Sequence, residues 1–354
     1  MALLIFFRWN KPLGPSLGLP TITPKTTEIS SIQSTAIAQT IISTPLVTAS
    51  QLANLPAIVT PIPSPTIARQ PLCGGPNTMT ILGVGSDERT AGYLYGMGDS
   101  IHVMRIDFTI PSIMVIDFPR DLWVEIPGIS DHYGITHGKL NQSYFFGNRG
   151  MGYYDGPGEG PGLMARTLDL NFGLLVDHYL AVDAHTFVNI IDAVGGVDIQ
   201  LESPIDLNVG EGTPDPKLYF SAGTHHMDGR SAYTFATDRF PSTFQRMIYQ
   251  KIVMSALKDK LFSPEMLPHI PKLVAQFITS VQTDFSPSEI NSLICIAQVV
   301  PSENIQVGSF PQELFKPSSI YDPYRKVYTF IYEADFDKLR SMVAEFMNGV
   351  WPMP

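Results

Sequence analysis

The chain has 354 residues, 44% of them hydrophobic and 16% charged, which is enough apolar material for one large domain or two small ones. Its formal net charge is −10, with 23 Lys and Arg against 33 Asp and Glu, and no basic cluster offsets the acidity, so a nucleic-acid partner is not expected. The 2 cysteines, Cys73 and Cys295, exclude a cysteine-rich zinc site or a disulfide scaffold. They either form one bridge in an oxidising compartment or stay two small apolar residues.

Residues 1–76 differ in kind from the rest. From Lys11 to Pro76 the chain is rich in Pro, Thr and Ser, has very few charges and shows no period, which predicts an extended low-complexity spacer. The one strongly apolar run there, Ala2–Phe7, falls far short of the ~20 residues that span a bilayer. Polar residues and prolines interrupt Ala36–Val59, so no clear transmembrane helix or signal peptide is expected in this chain.

Residues 77–354 predict a single α/β/α sandwich domain with a mixed central sheet. Met79–Gly85, Ser100–Asp107 and Ser112–Phe118 are short, nearly continuous apolar runs, the pattern of strands covered on both faces. Leu163–Asn171 and Ala184–Val194 have helical spacing, with Gly195 and Gly196 stopping the second before a strand at Val197–Leu201. Asp228 predicts an N-cap for a helix to Thr237, and Thr243 for one to about Leu261. Further helices are expected at Glu265–Ser280 and Ser286–Val299, the latter entered through a capping box at Ser286 and Glu289. Ile305–Ser309 and Lys326–Ile331 are late strands, and Glu333–Asn348 is a closing helix. Strands alternating with helices over this length give the α/β class.

The chemistry-bearing motifs sit mostly at strand ends. They are GSDER (Gly85–Arg89), GDS (Gly98–Ser100), FPRD (Phe118–Asp121), GKLNQSYFFG (Gly138–Gly147), IIDAVGGVDI (Ile190–Ile199), and the stretch from Asp228 to Gln250. Gly83-x-Gly85 is followed by Glu88 where a dinucleotide loop needs a third glycine, and no Walker lysine follows. No GxSxG elbow or cysteine–histidine signature supports covalent catalysis, and the histidines have no zinc spacing. Dispersed arginines and aspartates suit a magnesium-bridged pyrophosphate, since carboxylates supply hard oxygen ligands and guanidinium groups grip phosphate oxygens in pairs.

In these motifs, over roughly Met79 to Asn348, the sequence resembles the LytR-CpsA-Psr family, which moves glycopolymers from a polyprenyl-pyrophosphate lipid to peptidoglycan. The resemblance implies a magnesium-dependent phosphoglycosyl transferase of the bacterial cell envelope, extracytoplasmic and membrane-associated. Its partners would be a polyprenyl-pyrophosphate-linked glycan, a peptidoglycan acceptor and the membrane surface. It makes Asp87 and Asp99 the Mg2+ ligands, and Asp87, Asp99, Arg120 and Arg239 the catalytic residues. It assigns Arg89, Arg120, Asp121, Arg239, Arg246 and Gln250 to substrate binding. Lys139 and Asn141 match a lysine–x–asparagine motif in which Asn141 is expected to be structural. The lipid tail implies an apolar tunnel lined by Phe187, Ile190, Ile191 and the Thr243–Leu261 helix, although ordinary core is the simpler expectation for each. Four family charges are absent, at Met97, Thr237, Thr243 and Tyr249. Two alternatives therefore stay open: a non-catalytic binder of polyprenyl phosphate or cell-wall polymer, and a polyprenyl-pyrophosphate pyrophosphatase.

Overall fold

A computed structural model describes residues 10–18, 69–88, 93–208, 215–238 and 243–351. Two compact units divide the chain, residues 1–21 with 70–354 and residues 22–69, and every element named below belongs to the first. In chain order these are strands β1 (Thr78–Ser86), β2 (Gly98–Asp107), β3 (Ser112–Asp117), β4 (Trp123–Glu125) and β5 (His137–Lys139), then helices α1 (Leu140–Gly147) and α2 (Glu159–Phe172). Strand β6 (His178–Asp183), helix α3 (Ala184–Ala193) and strands β7 (Val197–Leu201), β8 (Ile205–Asp206), β9 (Tyr219–Phe220) and β10 (Gly223–Met227) follow. Helices α4 (Gly229–Thr237), α5 (Thr243–Leu261) and α6 (Ile270–Phe277), strand β11 (Gln282–Thr283) and helix α7 (Pro287–Val299) come next. The chain closes with β12 (Ile305–Ser309), β13 (Phe315–Asp322), β14 (Val327–Ala334) and α8 (Phe336–Met347).

The central sheet has 6 strands in the order β11-β6-β1-β2-β3-β12 and is mixed. β6 runs parallel to β1 and β12 parallel to β3, while β1, β2 and β3 are antiparallel neighbours. Alternate residues of β1 explain its unbroken apolar run. Leu82 and Val84 enter one core with Ile101, Val103, Tyr144 of α1 and Leu168 of α2, while Met79 and Ile81 enter a second with Ile106, Ile113 and Ile296 of α7. Helices thus cover both faces, as a sandwich requires. A third core lies beside them, where α3, α4 and α5 pack Ile191, Phe235 and Val253 on the separate β7–β10 ribbon.

Local signals place several boundaries. Asp228 accepts from Ser231 N at 2.8 Å to start α4, and Ser286 and Glu289 close the expected capping box on α7. Gly195 and Gly196 both have φ above +80°, a left-handed turn that costs glycine little, and they end α3. The closing helix begins at Phe336 rather than Glu333 because Asp335 caps it. The helix expected over 265–280 begins as a 3-10 turn at Leu267–His269, with Pro268 and Pro271 in the first turns of the two segments.

Part of the expected spacer, within residues 13–17, is packed on the domain. Leu17 is 3% exposed in the main core, Leu13 N donates to Phe285 O at 3.0 Å, and Tyr179 donates its hydroxyl proton to Pro15 O at 3.0 Å. Burying one leucine and satisfying two main-chain groups suffices to hold this short stretch despite its Pro- and Gly-rich composition. Cys73 and Cys295 form a disulfide, with Cα atoms 5.6 Å apart, that ties the turn before β1 to α7.

His178, at the start of β6, lies between two carboxylates. Its Nδ1 is 3.4 Å from Asp284 and its Nε2 is 3.3 Å from Glu289, with Asp177 beside it and Phe285 stacked on the ring. Burial opposes the charge, but Asp284 and Glu289 outweigh it and raise the imidazole pKa to about 9. A raised folded-state pKa contributes stability that is complete below the unfolded value near 6.5 and lost as pH rises through about 9. Denaturant unfolding should therefore show a loss on the order of 2 kcal/mol between those pH values, partial exposure considered. A His178→Gln variant should lack that alkaline loss. Equal alkaline slopes for both proteins would show that His178 does not titrate in this window.

Candidate functional site

The site begins with a defect in the β1–β2 ladder. Gly85 pairs with Ser100 and the next residue, Ser86, with Gly98, so Asp99 is an extra residue on β2. Such a bulge re-aims its side chain and recurs beside functional sites. The Asp99 carboxylate takes a charge-assisted bond from Arg120 Nη1 and a 3.3 Å contact from Arg246 Nη1 on Oδ2, and accepts from Asn141 Nδ2 at 3.0 Å on Oδ1. Arg246 Nη2 also donates to the Asp99 carbonyl at 3.0 Å.

Arg120 follows β3 through Pro119, and backbone bonds from Leu140 N to Leu122 O and from Asn141 N to Arg120 O lock its loop to the start of α1. Its Nε donates to Asp121 Oδ2 at 3.2 Å, and Lys139 Nζ donates to Asp121 Oδ1 at 2.8 Å. Arg246 comes from α5, 147 residues from Asp99 in sequence, with a side chain only 3% exposed. Burial works against charge at Asp99, but Arg120, Arg246 and the Asn141 amide outweigh it and hold that carboxyl below the usual range. Asp121 is likewise held down, burial being outweighed by Arg120 and Lys139. Asp87 behaves oppositely. Burial, with the charge of Asp99 adding to it, pushes Asp87 up although the Met97 amide donates to it at 2.6 Å.

The structure thus gathers Asp87, Asp99, Arg120, Asp121 and Arg246 at one end of the sheet, with Lys139 and Asn141 behind them. Asn141 has the structural part expected of it, since it holds Asp99. Gln250 lies one turn beyond Arg246 on α5 and is half-buried. Arg89 and Arg239 lie outside the described residues. Met97 packs against the main core with its sulfur 3.7 Å from Asn141 Nδ2, and Tyr249 is buried against Phe235 in the third core. The Thr237 hydroxyl turns back on its own helix, donating to Tyr233 O at 2.8 Å. Three of the four absent charges are therefore replaced by internal contacts. The fourth, Thr243, opens α5.

Of the residues expected along a lipid tunnel, Ile191 is fully buried in the third core, Phe187 packs at its edge and Ile190 is half-buried. Glu88, which the sequence did not single out, is buried next to Asp87 and accepts from Tyr95 N at 2.8 Å. A polar row on the opposite sheet face was also missed: Ser100 Oγ lies 2.8 Å from His102 Nε2, and Asp117 stands across from His102 in register. Only strand alternation combined with register could have revealed it.

Among the described residues no group of three or more His, Cys, Asp or Glu could hold a metal ion by itself. Magnesium commonly needs only one or two carboxylates beside phosphate oxygens and water. The carboxylates of Asp87 and Asp99 act on one another and would make up such a pair. This donor set contains only oxygen and fits that ion.

The regulatory protein MsrR of Staphylococcus aureus is 27% identical over 216 residues, 60% of this chain and 58% of MsrR. The Bacillus subtilis polyisoprenyl-teichoic acid–peptidoglycan teichoic acid transferase TagV is 25% identical over 274 residues, 76% of this chain and 64% of TagV. The chain thus spans less than two thirds of the length of these relatives. The crystal structure of B. subtilis TagV superposes with a TM-score of 0.58 at 23% identity, covering 77% of this chain and 98% of that one. A TagT structure with bound LIIa-WTA gives 0.55 at 16% identity, covering 79% of this chain and 96% of that one, and shares the fold. The LytR_cpsA_psr family model matches residues 67–343, which takes in the central sheet, the carboxylate–arginine cluster and all but the last few residues of the closing helix, and the chain belongs to that family.

Proposed function

We propose that this protein is a phosphoglycosyl transferase that moves a glycopolymer from a polyprenyl-pyrophosphate carrier to peptidoglycan. The observation that carries this reading is the cluster around Asp99, in which Arg120 stands at the loop end with Arg246 behind it. Among the described residues the carboxylates of Asp87, Glu88, Asp99 and Asp121 outnumber the cations Arg120, Lys139 and Arg246, so these side chains give the cluster no net positive charge. A pyrophosphate diester brings further negative charge, which calls for an added cation. Asp87 and Asp99 would hold magnesium, which when bound offsets charge on the phosphates. Arg120 grips a phosphate oxygen, while Asp121 and Lys139 fix its guanidinium. The acceptor hydroxyl oxygen forms a new bond to the sugar-side phosphorus, the bond from that phosphorus to the bridging oxygen breaks, and polyprenyl phosphate departs with the bridging oxygen while the hydroxyl proton passes to it or to solvent. Positioning and charge neutralisation carry such a transfer without a covalent nucleophile.

The names of TagV and of the TagT complex support a lipid-linked wall polymer as donor. The Cys73–Cys295 disulfide supports an oxidising, extracytoplasmic compartment. No helix among the described residues is long and apolar enough to cross a membrane. The donor's lipid tail would bring the site to the membrane surface.

The test is release of polyprenyl phosphate from a synthetic polyprenyl-pyrophosphate saccharide, with and without magnesium and a peptidoglycan fragment. One charge-assisted contact is worth about 1.5–3 kcal/mol, so Arg120→Ala should slow release by roughly 10- to 100-fold. Release that ignores the acceptor would make the protein a pyrophosphatase, and binding without release would make it a carrier. Equal rates for wild type and Arg120→Ala would remove the assigned site.

A further inference from the structure

A cleft of about 360 Å³ lies between the β4–β5 ribbon and the β13–β14 hairpin, lined by Trp123, Thr136, His137 and Tyr321 among others. It starts beside the cluster. Trp123 is two residues beyond Asp121 and stands opposite Lys139 in the β4–β5 register, and Lys139 is bonded to Asp121. Two bonds fix the hairpin beside the cluster: Gln142 Nε2 of α1 donates to Asp322 Oδ2 at 2.9 Å, and Tyr332 N donates to Asp121 O in the Arg120 loop at 2.9 Å. Any ligand in the cleft is therefore held in a set relation to Arg120 and Asp121.

The lining chemistry is unusual for a surface. The rings of Trp123 and His137 are 6.5 Å apart and nearly parallel, at 17°. Tyr321 is 48% exposed, and across the hairpin Tyr328, 76% exposed, meets it edge-on with centroids 5.8 Å apart. Alternation puts Phe330, 44% exposed, on the same hairpin face as Tyr321 and Tyr328, and Tyr332 follows it into the core. Exposed aromatic rows of this kind mark binding surfaces, because flat rings offer contact area and little lost rotamer entropy. No Asp, Glu, Lys or Arg lines the cleft, so it offers no counter-charge to phosphate or to an acidic polymer. It offers ring faces, the Thr136 hydroxyl and the His137 imidazole. That combination, in an open groove, matches a pyranose ring, whose C–H faces are apolar and whose rim carries hydroxyls.

We propose that this cleft and the Tyr321–Tyr328–Phe330 face bind the glycan strand that accepts the transferred polymer. The proposal rests on the transferase reading above, since it supplies that reaction with its acceptor subsite. A neutral, aromatic surface for the acceptor beside a charged one for the donor would keep the two substrates apart until the acceptor hydroxyl reaches the phosphorus.

The test compares the wild type with Trp123→Ala, Trp123→Phe, Tyr321→Ala and Tyr328→Ala in two separate assays. One measures retention on purified peptidoglycan sacculi stripped of other wall polymers, with chitin oligosaccharide as a soluble competitor. The other measures binding of polyprenyl pyrophosphate by calorimetry. The expected result is a loss of retention of about tenfold for each alanine variant, near-wild-type retention for Trp123→Phe, and unchanged donor affinity. Should Trp123→Ala fail to fold, Tyr328→Ala, whose ring contributes to no core, carries the comparison. Wild-type retention in folded Tyr321→Ala and Tyr328→Ala would overturn the acceptor site and leave the transferase reading intact. If the wild type binds no donor but the alanine variants still lose retention, a glycan-binding surface stands and the transferase reading falls.

Discussion

Asp99→Ala is expected to abolish transfer and to lower unfolding stability by about 3–5 kcal/mol, the usual consequence of removing one partner from a buried ion pair. The side chains of Asp99, Arg120 and Arg246 are 15%, 13% and 3% exposed, so bulk water compensates little for the lost carboxylate. The substitution leaves Arg120 and Arg246 facing each other and deprives the Asn141 amide of its acceptor. Asp99→Asn keeps the shape and removes the charge, which separates electrostatics from packing. The pH dependence has a definite sign. A carboxyl whose folded pKa is depressed contributes stability above its unfolded value near 3.9, and that contribution disappears as pH falls through the folded value. The stability gap between wild type and Asp99→Asn should accordingly be full at neutral pH and close in strong acid. Urea unfolding across that range checks both statements. Equal stability of the two proteins at pH 7 would mean that the cluster is not the electrostatic anchor assigned to it.

Loss of the Cys73–Cys295 bridge should cost about 5 kcal/mol, because it closes a loop with a sequence separation of 222 residues and so restricts the unfolded chain strongly. In the folded state Cys73 sits against the core that contains Ile296 and Phe108, and Leu72 N donates to Phe108 O at 2.8 Å. The turn before β1 is therefore held by packing as well, and Cys295→Ser should fold but melt at a markedly lower temperature. Reduction of the wild type should bring its melting temperature down to that of Cys295→Ser. Thiol titration of the unreduced, denatured protein should find no free cysteine. Two titratable thiols, or a melting temperature indifferent to reductant, would contradict the bridge.

The local signals in the chain were sufficient for much of the architecture. β1, β2 and β3 are legible because both faces of the sheet are covered, which makes their residues apolar almost without interruption. Asp228, the Ser286–Glu289 pair and the Gly195–Gly196 stop act within one helical turn, so each can be read directly from neighbouring residues. Helix α1 was not legible as a helix, because all eight of its residues are buried and no polar face remains to create a period. Strand β13 hides for a different reason. Among the described residues it pairs only with β14, and between the buried ends Phe315 and Asp322 its residues are exposed or half-buried on both faces, so no apolar run or alternation marks it.

The candidate site divides in the same way. Its motifs stand in the sequence in the family's order, and it was the resemblance they carry that brought Asp87, Asp99, Arg120, Asp121 and Arg246 under consideration together. Which of them meet was decided only in three dimensions. The bulge that turns Asp99 toward Arg120 is a property of the β1–β2 register, the contact between Arg246 and Asp99 joins residues 147 apart, and the disulfide joins residues 222 apart. Propensities and caps act over a few residues and leave their mark there. Pairings over such separations depend on strand register and on which loops close, and those follow from the packing of the whole domain.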